Sequence, residues 1–297
     1  MGGTSYSYDS RSTRAVASGY YRKSADEIFT QNAIRRIHES MEPKKALLRE
    51  SRDSAAHPNS VPIIFALDVT GSMGRIPHYL VKDGLPNLMS CIIQNGVPDP
   101  QILFLAVGDF TCDRHPLQVG QFESGDEELD LWLTRTYLEG GGGGNEGESY
   151  GLAWYYGAMH TATDAWEKRK QKGFIFTVGD EPNLRSIPSK VIDEIMGESQ
   201  KVSYSDSEIL AKAQERYHVY HLHITETSAG SRSMGYWREL LGDHCIEVKN
   251  HQDLSKIVAE IVVRDTPTTE VYQVESKPSV VIPEDTHHTS VEQEILL

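Results

Sequence analysis

Asp68, Thr70 and Ser72 stand at alternate positions behind a purely apolar run, residues 61–67, with only Val69 and Gly71 between them. One carboxylate and two hydroxyls at that spacing are hard oxygen donors. Mg²⁺ and Mn²⁺ prefer such donors, and Mg²⁺ keeps several of its waters, so a few protein groups and one open position make a site. Gly71 supplies the backbone freedom that a tight turn needs. The carboxyl end of a buried strand is where open α/β sheets bind ligands. The competing expectation is that the three residues cap the helix beginning near Arg75, for which Asp, Ser and Thr are all suited. A cap needs only one of them.

Elements able to hold such a site follow in the sequence. From Pro62 onward the pattern predicts strands at residues 62–67, 102–107, 117–122, 174–178, 219–224 and 245–248. Helices are predicted at 76–93, 127–133, 149–170, 187–196, 207–217, 233–241 and 253–263. Continuous apolar strands suit burial on both faces, and their alternation with helices predicts an open, doubly wound α/β sheet. Upstream, residues 1–20 are rich in Ser, Tyr, Gly and Thr without periodicity, which predicts a segment that is mobile or draped on a partner. Residues 25–41 read as one helix, opened by a capping box of Ser24 and Glu27. Residues 42–60 are polar and end in a turn signal. At the other end, residues 265–297 carry seven acids against one Lys, with three prolines. They read as an extended tail, whose short apolar run at 280–282 is suited to joining a sheet edge. The expected organisation is an N-terminal extension with one helix (1–59), an α/β domain (60–264) and an acidic tail (265–297).

Composition narrows the function classes. With 297 residues, 38% hydrophobic and 24% charged, the chain can bury a sizeable core. A formal net charge of -14 argues against broad binding to nucleic acid or anionic membranes, since phosphate contacts need clustered Lys and Arg. Cations or basic partners are the better expectation. Three cysteines, Cys91, Cys112 and Cys245, cannot all pair and show no C-x-x-C spacing, so no disulfide framework is expected. There is no signal-peptide pattern and no apolar run of about 18 residues. A cytoplasmic location is expected, in a cell or in one infected by a virus.

The run Asp68-Val69-Thr70-Gly71-Ser72 resembles the metal-ion-dependent adhesion motif Asp-x-Ser-x-Ser of von Willebrand factor type A (VWA) domains, with Thr70 in the first Ser position. The order of elements from about residue 60 to 264 is also similar to the VWA order, with residues 117–122 as the antiparallel edge strand. The resemblance implies a mostly parallel six-stranded sheet and a cation site drawn from three loops. Phe174-Ile175-Phe176-Thr177-Val178-Gly179-Asp180-Glu181-Pro182 resembles the strand ending in Thr-Asp-Gly-x-Pro, so Asp180, with Glu181 in reserve, supplies the third-loop carboxylate. Val178-Gly179 is inserted before the acid, which departs from that pattern. In the second loop the family's Thr has no direct counterpart. There Gly144-Asn145-Glu146-Gly147-Glu148 resembles the Gly-Asp-x-Pro-Glu of some intracellular members, which puts Asn145 in the Thr place and Glu148 beside the site. Asp109, at the end of the second strand on the same sheet edge, is placed either to orient a metal-bound water or to cap a turn as a solvated loop acid. The ligand set thus implied is Asp68, Thr70, Ser72, Asn145 and Asp180 around Mg²⁺ or Mn²⁺.

What the family does implies a non-enzymatic adaptor, whose cation takes a partner's Asp or Glu in its open position. The partner class is an assembly component, commonly an AAA+ ATPase of the MoxR type. Two other functions remain open: a metal-dependent hydrolase or phosphoryl-transfer enzyme using Asp68, Asp109 and Asp180, and a structural subunit with a vestigial site. Competing motifs are weaker. Gly147-Glu148-Ser149-Tyr150-Gly151 matches G-x-S-x-G, but a glycine run and not a strand precedes it, so Ser149 reads as a helix N-cap. His221 and His223 share a strand face without a Cys or carboxylate at zinc-ligand spacing. They read as core or edge histidines, and Trp237 as packing for the late helix.

Overall fold

The computed structural model describes residues 5–140, 147–199 and 201–267, and the described residues up to Thr266 form one compact unit. In chain order the strands are β1 (Arg49–Ser51), β2 (Val61–Asp68), β3 (Pro100–Val107), β4 (Leu117–Glu123), β5 (Thr161–Thr163), β6 (Gly173–Gly179), β7 (Ser186–Ile187), β8 (Tyr204–Ser205), β9 (Tyr217–Ile224) and β10 (Cys245–Val248). The α-helices are α1 (Tyr8–Ala17), α2 (Ala25–Ile28), α3 (Gln31–Ile34), α4 (Ile76–Tyr79), α5 (Leu85–Gln94), α6 (Asp126–Thr134), α7 (Tyr150–Met159), α8 (Asp164–Arg169), α9 (Ser189–Met196), α10 (Asp206–Gln214), α11 (Gly230–Leu241) and α12 (Leu254–Asp265).

Six strands make the main sheet in the order β10-β9-β6-β2-β3-β4. Every pair is parallel except β3 with the edge strand β4. This is the doubly wound, mostly parallel sheet that the sequence predicts. Strand alternation explains the two cores. Ile63, Phe65 and Leu67 of β2 pack in one layer with Leu88 and Ile92 of α5 and Val258 and Val262 of α12. Ile64 and Ala66 join the other, with α7, α10 and Trp237 of α11. Asp68 continues the second set, which points it toward the start of α7. That helix is buried from Tyr150 to Ala158. It approaches the sheet at Gly157, where an added Cβ would lie 2.7 Å from Ile175 Cδ1.

Three predicted elements are corrected. The helix expected over 149–170 stops at Met159, because Thr161 and Thr163 favour extended backbone and residues 161–163 pair in parallel with β1, a strand that the polar 42–60 stretch concealed. The Thr163 hydroxyl then caps α8 by accepting from Trp166 N–H. The helix expected over 25–41 opens with the predicted Ser24–Glu27 capping box but breaks into α2, α3 and 3-10 turns. Arg35 takes a left-handed conformation (φ 56), so that Ile28, Phe29 and Ile37 are buried while Ile34 stays 54% exposed.

The third correction concerns the segment 1–20, of which the described residues 5–20 are docked on the domain itself. The helix behind the Asp68 loop explains why. Between α4 and α5 the chain makes a π turn over Leu80–Gly84, in which Leu85 N–H reaches back to Leu80 O. Pro86 has no N–H to offer the carbonyls four and five residues before it, Lys82 and Val81. Arg11 of α1, buried, supplies the missing donors: its guanidinium reaches Val81 O at 2.8 Å, Lys82 O at 3.1 Å and Asp130 Oδ1 at 3.0 Å. Lys82 in return donates to Tyr21 O and Lys23 O. Arg11→Met leaves two carbonyls and a carboxylate without these donors. It is expected to lower stability by about 2 kcal/mol in urea unfolding, whereas a loss within about 0.5 kcal/mol, the range of surface substitutions, would show that water replaces the guanidinium.

Candidate metal site

Asp68 is the last residue of β2 and lies opposite Val107 of β3, while β6, on the other side of β2, ends at Gly179. Asp68, Asp109 and Asp180 therefore leave adjacent strands at one edge of the sheet. The Asp68 loop folds back by an Asx turn: Oδ1 accepts from Thr70 N–H at 2.8 Å and from Thr70 Oγ1 at 2.6 Å. Thr70 Oγ1 is 3.3 Å from Ser72 Oγ, which donates to Asp180 Oδ1 at 2.9 Å. One chain of polar contacts thus joins Asp68, Thr70, Ser72 and Asp180. It runs from buried Asp68, Thr70 and Asp180 to exposed Ser72. Arg75 begins α4 without a side-chain cap from any of them.

The other predicted residues are placed as follows. Asp109 repeats the turn, its Oδ1 accepting from Thr111 N–H and its Oδ2 from Thr111 Oγ1, both at 2.7 Å, while its own N–H donates to Asp113 Oδ2. Asn145 lies outside the described residues. Glu148 is held between loops, its N–H donating to Pro182 O and its carbonyl accepting from Leu184 N–H. Ser149 begins α7, but its hydroxyl makes no cap there. It accepts from Phe110 N–H at 2.8 Å, tying the second loop to the Asp109 loop. Glu181 is partly buried, and its carbonyl accepts from the Trp237 indole at 3.0 Å.

Electrostatics decide whether these residues suit a cation. Burial first, and then the charge of Asp180, push the Asp68 carboxyl well above the usual carboxylate range. Glu148 is pushed up further, by burial and then by Asp68, Asp109, Asp113 and Glu181. Asp180 Oδ2 and Glu148 Oε2 are buried without a hydrogen-bond partner. A buried polar oxygen left unpaired costs about 1–3 kcal/mol, more when it is charged. Carboxylates crowded together with two oxygens unpaired, beside hydroxyls that donate to Asp68 and Asp180, fit a hard divalent cation. Asp68, Thr70, Ser72 and Asp180 are the residues that would hold it. Among the described residues no three His, Cys, Asp or Glu side chains gather at ligand spacing, so the hydroxyls are needed as donors.

Tyr150, which the sequence reading passed over, completes the floor of the site together with the core residues His221 and Trp237. Tyr150 donates to Asp68 Oδ2 at 2.8 Å. Its ring lies edge-on to His221 and Trp237, with centroids at 5.1 and 5.5 Å. His221 stacks on Trp237 at 3.5 Å. Burial, and then His223, hold the His221 imidazole neutral. Both histidines are buried in the core, as expected of them. The one sequence signal for Tyr150 was its adjacency to the Glu148-Ser149 loop at the start of a helix.

A second constellation sits at the opposite sheet edge. Ser124 Oγ is 3.2 Å from His57 Nε2, and His57 Nδ1 is 3.4 Å from Asp99 Oδ1. These are the residue types of a hydrolytic triad. Ser124 is only 2% exposed, however, and the three residues clasp the loops before β2, before β3 and after β4.

No protein-family model matches the sequence, and no curated protein matches it. Among solved structures the chain is similar to the pilus adhesin SpaC of Lactobacillus rhamnosus GG in its open conformation (12% identity, 73% of this chain and 31% of that chain, TM-score 0.47). It is also similar to BatB of Bacteroides thetaiotaomicron (13%, 69% and 98%, 0.44) and to the SpRpn10 VWA domain (13%, 67% and 93%, 0.42). The matched part of the chain thus spans less than a third of SpaC. The chain's own strand order, with one antiparallel edge strand and helices on both faces, is the mostly parallel six-stranded α/β sheet that the VWA resemblance of the sequence implies.

Proposed function

We propose that the chain is a metal-ion-dependent protein-interaction module. The observation that carries this reading is the polar chain from Asp68 through Thr70 and Ser72 to the Asp180 carboxylate, whose other oxygen is buried without a hydrogen-bond partner. A bound Mg²⁺ or Mn²⁺ supplies Lewis acidity for an incoming carboxylate. This chain's residues do the rest. Tyr150 and the Thr70 amide fix the rotamer of Asp68, and Thr70 and Ser72 offer neutral oxygens that leave the ion its charge. Exposed Ser72 puts the site within reach of another protein. The partner proposed is one presenting Asp or Glu, an assembly component such as a MoxR-type AAA+ ATPase, in the cytoplasm. Consistent with that setting, among the described residues no helix is long and apolar enough to cross a membrane.

The test is capture of partners from native lysate with Mg²⁺, with chelator, and with Asp68→Ala. Partners held only by the wild type with Mg²⁺ are expected. Identical capture in all three conditions refutes metal dependence. Hydrolysis of a phosphoester panel that is lost in Asp68→Ala would replace the module by the metal-dependent enzyme.

A further inference from the structure

Trp237 belongs to α11, yet it meets the metal loops. Its indole N–H donates to the carbonyl of Glu181, the residue after Asp180, and its ring is stacked on His221. A second bond comes from the start of the same helix, where Gly230 O lies 2.6 Å from His223 Nε2. Because that nitrogen donates to a carbonyl, His223 Nδ1 is left as acceptor. His221 Nε2, 3.3 Å away, is then the donor to it, and Thr177 Oγ1 faces His221 Nδ1 at 2.9 Å. The two tautomers follow in one direction, from His221 to His223 on β9 and on to α11. Only glycine fits at this close approach, since a Cβ at 230 would lie 1.8 Å from Ile224 O. Thus α11 is registered on β9 at its first turn and on the Asp180 loop at its eighth residue. Tyr150, edge-on to both Trp237 and His221, carries the contact on to Asp68.

We propose that α11 is the element that sets the Asp180 loop, with Trp237 as its positioning residue, so that occupancy of the metal site and docking of α11 are coupled. The proposal rests on the metal-site reading for its ligand, but the contact itself is independent of that. The coupling is reciprocal. An ion that fixes Asp180 tightens α11, and a protein that grips the outer face of α11 alters ion affinity. The residues that would bind the ion need not then be the ones that a partner touches.

The experiment uses the full chain and Trp237→Phe, with Trp154→Phe as a second variant from the same buried aromatic cluster. The Phe ring keeps most of the apolar volume at 237 and removes the indole donor. Mn²⁺ binding is followed by calorimetry. Amide hydrogen exchange is followed over residues 180–184 and 230–241, with and without Mn²⁺. The expected result is Mn²⁺ affinity lower by about tenfold, the low end for losing a group that orients metal ligands. Faster exchange at 180–184 without the ion should accompany it, and neither change should occur in Trp154→Phe. Mn²⁺ should also slow exchange in α11 of the wild type. Unchanged exchange at 180–184 in Trp237→Phe overturns the proposal, as does an equal affinity loss in both variants. A wild type that binds no Mn²⁺ overturns the metal-site reading and the coupling with it, while the exchange at 180–184 still decides whether Trp237 sets the loop.

Discussion

Gly179→Ala is expected to abolish divalent-cation binding and to lower stability by roughly 3–5 kcal/mol. Gly179 closes β6 immediately before Asp180, and the tyrosine that supports Asp68 lies across its Cα. A Cβ there would stand 1.8 Å from Tyr150 Oη and 2.5 Å from Cζ. Tyr150 has nowhere to retreat, being fully buried with its ring against His221 and Trp237. Either the ring or the strand end must shift. The first leaves Asp68 Oδ2 without its donor, and the second displaces Asp180. Overpacking alone costs about 1–3 kcal/mol, and loss of the bond to a buried carboxylate adds a similar amount. A double-mutant cycle with Tyr150→Ala, which removes Oη, Cζ and Cε1 together, isolates the clash when read by urea unfolding. Gly179→Ala should cost clearly less in the Tyr150→Ala background, and equal costs in both backgrounds would show that Tyr150 is not what Gly179 accommodates.

The contrast between Gly179 and Asp68 shows what the sequence discloses. Asp68, Thr70 and Ser72 are legible because their chemistry is local: the turn that gathers them is made by Asp68 accepting from Thr70, two residues on. The sheet was legible for a related reason. Strands buried on both faces read as unbroken apolar runs, so β2, β3, β6 and β9 stand out without any knowledge of their neighbours. Tyr150, Trp237 and Arg11 act instead across 82, 56 and 70 residues of chain. No periodicity encodes such a contact. Trp237 in particular reads as core, and it is core. Its indole proton is what serves the site, and its target is a backbone carbonyl that every residue carries. Strand β1 was concealed for another reason: at three residues, paired only with β5, it is too short to establish an alternation.

These buried contacts also separate two demands on the site. Thr70 and exposed Ser72 set neutral hydroxyls beside Asp68 and Asp180, whereas Glu148 lies among further carboxylates with an unpaired buried oxygen. Neutral hydroxyls leave an ion able to attract a partner's carboxylate. Surplus buried acid does the opposite, since it holds the ion and costs the ion-free fold. The chain carries both, so its stability without an ion should register the second.

Glu148→Gln is therefore expected to stabilise the ion-free protein by about 3 kcal/mol at pH 7 and to flatten its dependence on pH. In the fold, burial and then Asp68, Asp109, Asp113 and Glu181 raise the Glu148 carboxyl well above the usual range. An unfolded chain ionises it near pH 4.3. A carboxyl raised in the folded state contributes its full stability below the unfolded value, and that contribution is lost as pH climbs from there toward the folded one. Each unit crossed costs about 1.4 kcal/mol, so the deficit grows between about pH 4.3 and 7. Gln does not titrate, and its amide can donate to the surrounding carboxylates. Added Mg²⁺ or Mn²⁺ should reverse the order. A cation stabilises the wild type by mass action and lowers the cost of ionised Glu148, and the variant lacks that charge to neutralise. Urea unfolding of both proteins at pH 5 and pH 7.5, with chelator and with the cation, gives the four comparisons. An equal pH slope in the two ion-free proteins would place the surplus acid elsewhere in the cluster, at Asp68 or Asp113, where the corresponding Asn variants would then carry the effect.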